Sequence, residues 1–319
     1  MRALIFMLIA SSVTSFASDA TKQRLDRSIE FLEARLKSDP EDFTTANRLC
    51  DALLRRSRWT GRLEDWRRAS EVASQSADSV DVNPGGAVVQ AQIALAGHRF
   101  TEARELVLKL ETLMPGKPLP FQLLGDALLE LGDLDGAEKA YATMTEMAGS
   151  MVGTESRAAR LAWMRGQIDE AQRHLSDSLS LAREPDATED LAWALVQSGE
   201  LAFRRGDFAT AESHYAEALK VAPDYWAAIE HMAELRGAQG KDEEAVALFT
   251  KAAEMTGRPE IWQGLGDYHL FKRRPDEAKA GHEKALAGYR ASIGKEETLY
   301  VHHLAGFYSD SQTDPAEAV

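Results

Sequence analysis

Residues 121–141 read FQLLGDALLELGDLDGAEKAY, and the reading of this stretch decides the fold. Phe121, Leu124 and Leu128 recur at the three- and four-residue spacing of an amphipathic helix. Gly132-Asp133-Leu134 interrupts that period, and Ala137 and Tyr141 resume it. The order is therefore helix, glycine-centred turn, helix. Two antiparallel helices of about 14 residues bury little apolar surface by themselves, so such a pair has to stack on neighbours.

The neighbours are written on both sides. An alanine in the same local setting as Ala137 occurs at Ala69, Ala103, Ala171, Ala211, Ala245, Ala278 and Ala318, at successive spacings of 34, 34, 34, 40, 34, 33 and 40 residues along the chain. The turn recurs as Gly166-Gln167-Ile168, Gly206-Asp207-Phe208 and Gly240-Lys241-Asp242. Twelve residues before the alanine stands a small residue: Ala91, Gly125, Ala159, Gly199, Ala233 and Gly266. Four residues after it stands a mostly larger one: Val107, Tyr141, Leu175, Tyr215, Phe249 and His282. Small residues where helices cross let backbones approach, and large ones fill the adjoining gaps. Pro115 and Pro223 close two of the units.

This pattern resembles the tetratricopeptide repeat over roughly residues 42–319, with Leu124-Gly125, Ala137 and Tyr141 in one unit and Gly199, Ala211, Tyr215, Ala218 and Pro223 in another. Arg236, where an apolar residue is usual, and His302, at a first anchor position, depart from the family pattern. The resemblance implies an all-α fold, a right-handed superhelical solenoid of antiparallel helix pairs. Units begin near residues 84, 118, 152, 192, 226 and 259, after a divergent one at 42–83 with helices over Asn47–Ser57 and Leu63–Ser74. An incomplete unit starts near 299. The two 40-residue intervals predict helices longer by nearly two turns near 180–192 and 285–298.

Leu25, Ile29, Leu32 and Leu36 fall at helical spacing and predict a capping helix within residues 18–40, ahead of the array at 41–319. Residues 1–17 combine Arg2, an apolar run from Ala3 to Ala10 and small residues at Ser15 and Ala17, the pattern of a cleavable secretory signal peptide. A periplasmic or secreted address follows, with no membrane span in the mature chain. At the other end, Asp314-Pro315-Ala316-Glu317-Ala318 reads as a helix start that breaks off. Two readings stay open: self-association through the incomplete repeat, or a shortened version of a longer array.

Composition excludes several classes. The net charge of −14 disfavours nucleic-acid binding, and the single Cys50 supplies neither a disulfide nor a multi-thiolate metal site. Among the eight histidines no HExxH pair occurs, and His302 and His303 are helix neighbours that point apart. Phosphate-binding glycine loops and nucleophile elbows are absent from the sequence. No catalytic residue, metal site or cofactor is expected, and the chain reads as a non-enzyme.

In the family the first helix of each unit lines a concave surface, and the matching positions here are Gln122, Asp126 and Leu129; Ser156, Arg160, Trp163 and Met164; Trp193, Val196, Glu200, Phe203 and Arg204; Glu230 and Glu234; and Gln263, Asp267, Leu270 and Phe271. The Lys and Asn of the family's carboxylate clamp are missing, since Gln122, Asp126, Ser156, Arg160, Val196 and Glu200 hold those places. Arg160, Trp163, Trp193, Glu200, Phe203 and Arg204 form the expected binding site, because aromatic residues and arginine dominate binding hot spots. The implied function is a scaffold for a protein or peptide partner; a solute-binding sensor of the same architecture is the alternative. The run Arg55, Arg56, Arg58, Arg62, Arg67, Arg68 either solvates the first helix pair or docks on an anionic partner.

Overall fold

A computed structural model describes residues 21–77, 83–183, 187–294 and 298–311. The leader-like residues 1–17 and the segment Asp314–Ala318 lie outside them. The chain divides into two compact units, Met1–Ser57 with Glu64–Pro223, and Arg58–Leu63 with Asp224–Val319. Each is a stack of antiparallel helix pairs, and no strand occurs among the described residues.

In the first unit, helix α1 covers residues 21–38 and buries Leu25, Ile29, Leu32 and Leu36. Helices α2 (Phe43–Thr60) and α3 (Leu63–Ala77) form the divergent first pair, and their adjoining ends, Arg58–Leu63, group with the second unit. Helix α2 runs past the expected end at Ser57 through Trp59 and Thr60, so the connection begins only at Gly61. Then come α4 (Pro84–Ala96) with α5 (Phe100–Leu113), α6 (Pro118–Glu130) with α7 (Leu134–Ala148), α8 (Val152–Met164) with α9 (Ile168–Ala182), and α10 (Thr188–Arg204) with α11 (Phe208–Val221). The second unit holds α12 (Trp226–Ala238) with α13 (Asp242–Thr256), α14 (Pro259–Phe271) with α15 (Pro275–Ile293), and α16 (Val301–Gly306) followed by a π-helical turn Phe307–Ser311.

The six pairs from α4–α5 to α14–α15 make their turn the same way. The residue after the first helix's last turn adopts a left-handed backbone, at Gly132, Gly166, Gly206 and Gly240 and, without glycine, at His98 (φ 58°) and Arg273 (φ 59°). The next residue donates its N–H to the carbonyl five positions back, as from Asp133 to Leu128 and from Asp207 to Ala202, both at 2.9 Å. This closure satisfies carbonyls that a helix end leaves unpaired. Asp133 and Asp207 then cap the second helix by accepting from the Gly136 and Thr210 backbones.

Packing follows the small-to-large register. A Cβ placed on Gly125 would lie 2.3 Å from the Tyr141 ring, and one on Gly266 would lie 2.2 Å from the His282 ring. Where the facing residue is aliphatic an alanine suffices, as with Ala91 and Val107 or Ala159 and Leu175, which share cores. The longer intervals are taken up differently from the expected two turns. Helix α10 has 17 residues against 13 in α8, and α15 has 19 against 15 in α13, so each gains about one turn.

Candidate functional site

Four of the six expected binding residues lie on α10 and two on α8, within the first unit. Trp163 packs one side against the core of Ala159, Ala162 and Leu201, leaving a ring face on which the Arg204 guanidinium sits 5.8 Å from the centroid. Glu200 fixes that guanidinium, accepting from Nη2 at 2.7 Å one turn earlier on α10. These three form a contact. Arg160 instead reaches across to Glu130 on α6, and Phe203 stacks on Phe208 at 5.6 Å. Trp193 stands ten residues before Phe203 on α10, about 15 Å along the axis, and is 37% exposed. Met164 is also exposed.

Several other positions expected on the concave surface are absorbed by the fold. Leu129, Ser156 and Val196 are buried, so they are core residues and offer nothing to a partner. Ser156 shares a hydrogen bond with Ser178 on α9 at 2.8 Å. Asp126 receives the Tyr141 hydroxyl at 2.8 Å and a two-pronged Arg157 guanidinium at 2.7 and 2.8 Å. In the second unit Asp267 holds His282 at 2.8 Å, and Gln263 accepts from the Tyr289 hydroxyl at 2.7 Å. A polar residue of the first helix thus pins the large residue of the second. Sequence spacing could have suggested these pairs, because the partners lie 15 or 26 residues apart in register.

Glu230, on α12, is different. It makes no hydrogen bond among the described residues, and burial pushes its carboxyl up to about 7, with Glu234 and Glu260 adding to the shift and His231 and Arg258 opposing it. Leu270 and Phe271 remain exposed at the end of α14.

A concavity of about 530 Å³ lies among α7, α8 and α9, lined by residues that include Tyr141, Glu155, Arg165 and His174. His174 Nδ1 is 2.7 Å from Glu155, and burial of that carboxyl is outweighed by hydrogen bonds from Ser150 and His174, which hold it below the usual range. Asp177 completes a set whose ligand atoms fall within 4.8 Å of one another. Arg173 supplies the positive charge there, with Nη2 3.0 Å from His174 Nε2 and Nη1 3.6 Å from Asp177. A guanidinium against the outer imidazole nitrogen and the acid fits an ion-pair network better than a cation site.

Three arginines of the basic run pair with the chain's own acids. Arg56 joins Asp65 at 2.6 Å and Asp26 at 3.0 Å, Arg55 joins Glu189 at 2.9 Å, and Arg68 joins Glu71 at 3.2 Å. Cys50 is buried, and desolvation pushes its thiol up to about 12, which makes it inert as a nucleophile.

A tetratricopeptide repeat model matches residues 150–224, and a model of the TT21 fifth ARM repeats domain matches residues 192–278. Tetratricopeptide repeat protein 21A of Mus musculus is 26% identical over 185 residues, covering 54% of this chain and 14% of the relative. Cellulose synthase operon protein C of Pseudomonas fluorescens (strain SBW25) is 29% identical over 147 residues, covering 45% and 11%. The chain therefore spans only a small share of the length of both. The crystal structure of the APC/C hetero-tetramer Cut9–Hcn1 superposes with a TM-score of 0.61 at 16% identity, over 92% of this chain and 54% of that one. Repeat register, turn closure, family match and fold agree: the chain carries tetratricopeptide repeats, matched by the family model over residues 150–224.

Proposed function

We propose that this chain is a non-catalytic extracytoplasmic scaffold that holds a protein or peptide partner on α8 and α10 of its first unit. Repeat folds of this kind serve protein–protein interaction in general. The observation that carries the finer reading is the Arg204 guanidinium over Trp163, braced by Glu200, with Trp193 and Met164 exposed on the same two helices. Such a braced aromatic and cationic surface suits a hot spot, and Arg160 and Phe203 flank it in sequence. The leader-like pattern of residues 1–17 supports the address outside the cytoplasm, and no described helix is long and apolar enough to cross a membrane.

The test compares capture from a cell-envelope extract by the wild-type chain and by Trp163→Ala/Arg204→Ala. The expected result is loss of a specific retained protein at unchanged helicity, since truncating an anchor commonly costs about 2 kcal/mol or more. Equal capture by both chains would move the partner elsewhere. Fractionation of cells expressing the full chain reads the address separately.

A further inference from the structure

The second unit carries a seat that none of the preceding features uses, and a short piece of chain is held in it. That piece is Arg58–Leu63, the tip between α2 and α3, which belongs to the second unit. The indole N–H of Trp226, at the start of α12, donates to the Arg58 carbonyl at 2.9 Å. The Arg258 Nε–H donates to the Gly61 carbonyl at 2.9 Å. Both donors are themselves fixed: the Arg258 guanidinium lies 4.6 Å from the Trp226 ring centroid and donates from Nη1 to Glu260 at 2.8 Å. The Trp59 ring meets Tyr225 at 5.9 Å, and both residues are buried.

Gly61 adds a steric condition. Its φ is +74°, and a Cβ there would lie 2.4 Å from Thr256 Cγ2 and 2.9 Å from Trp226 Cγ. The seat therefore accepts only glycine at this position, in a left-handed conformation.

Taken one by one, these contacts specify a peptide. Two side-chain donors read backbone carbonyls, which any residue provides. One ring face takes an aromatic side chain, and one spot excludes every side chain two positions later. Main-chain hydrogen bonding with a buried aromatic anchor is how folded domains recognise short segments. We propose that Tyr225, Trp226, Thr256 and Arg258 form a recognition site for an aromatic-x-glycine turn, filled in cis by Trp59-Thr60-Gly61. The tether gives this occupant an effective concentration on the order of mM, so a free peptide enters only when the tip is out. The seat shares no residue with the α8 and α10 surface, so either proposal can fail alone.

The experiment uses the full chain and a fluorescently labelled synthetic peptide with the sequence of residues 57–64. Gly61→Ala alters the tip and leaves the seat intact. Hydrogen exchange at residues 58–63 is expected to accelerate about tenfold or more, and the labelled peptide to bind this variant about tenfold tighter than wild type. The same peptide with its glycine replaced by alanine is expected to bind neither chain. If Gly61→Ala does not fold, Trp59→Ala is a second tip-side variant with the same expected outcome. A released tip with no peptide binding would overturn the recognition site, as would exchange at 58–63 as slow as in wild type. Slow exchange at 58–63 that is lost on dilution of wild-type dimers would put the tip on a second copy and overturn the cis assignment.

Discussion

A Cβ added to Gly199 on α10 would stand 2.3 Å from Cε1 of Tyr215 on α11, so the ring of one residue occupies the place where the other would have begun a side chain. Both residues are buried. Gly199→Ala should therefore overpack the crossing and cost about 1–3 kcal/mol. Adding Tyr215→Leu should recover part of that loss, because the chain already sets Ala159 against Leu175 in the same core. Urea unfolding of wild type, both single variants and the double variant measures the coupling, expected at about 0.5–3 kcal/mol. Strict additivity would mean that the two side chains do not meet.

The turn positions provide a second measurement. Arg273 adopts φ 59° where four other units place glycine. A left-handed backbone costs a residue with a Cβ roughly 1–2 kcal/mol, partly offset by the extra unfolded-state freedom of glycine. Arg273→Gly should raise stability by about 0.5–1 kcal/mol, and Gly240→Ala should lower it by about 1 kcal/mol. Thermal midpoints that move the other way would show that the turn geometry differs.

Glu230 makes stability depend on pH. Its folded pKa of about 7 lies above its ordinary value of 4.5, chiefly through burial. Between those values the folded chain keeps a proton that the unfolded chain has released. This contribution is complete below about pH 4.5, declines as pH rises, and is lost above about pH 7. Glu230→Gln removes the decline, so the variant's advantage over wild type should grow across that window and then level off. Denaturant midpoints at several pH values would read it, and a difference independent of pH would contradict the assignment.

Asp126 ties α6, α7 and α8 together. Asp126→Asn weakens acceptance from Arg157 and Tyr141 at once and leaves a mostly shielded guanidinium without its counter-charge. The expected loss is about 2–3 kcal/mol, against about 1 kcal/mol for Tyr141→Phe, which removes a single hydroxyl bond. Equal losses would mean that the Arg157 pair contributes nothing.

The helix pairs were legible because each rests on contacts between residues about 16 positions apart, which a fixed register displays directly. Gly125 with Tyr141 and Gly199 with Tyr215 are examples. His98 and Arg273 hid two of the turns, since a residue with a Cβ gives no sign that it will adopt positive φ. The surface was less legible. Leu129, Ser156 and Val196 occupy family groove positions yet are buried, because the depth of a position depends on the neighbouring unit's side chains. Arg160 and Phe203 turn to Glu130 and Phe208, choices made by nearby charge and ring geometry that helical period does not encode. Least visible were the pairs between distant positions. Arg55 with Glu189 and Gly61 with Arg258 are separated by 134 and 197 residues, far outside any repeat register.

The reciprocal fit of small and large residues also sets how such an array can change length. Removing or duplicating a segment that begins and ends at equivalent points keeps each glycine with its own aromatic ring and each alanine with its own aliphatic side chain. A junction placed within a helix pair would set Ala159 of one pair against Tyr215 of another, bringing a methyl group into the space that the ring already fills. The heritable module is therefore the hairpin with its turn, and a single helix is not interchangeable with its counterpart two units away.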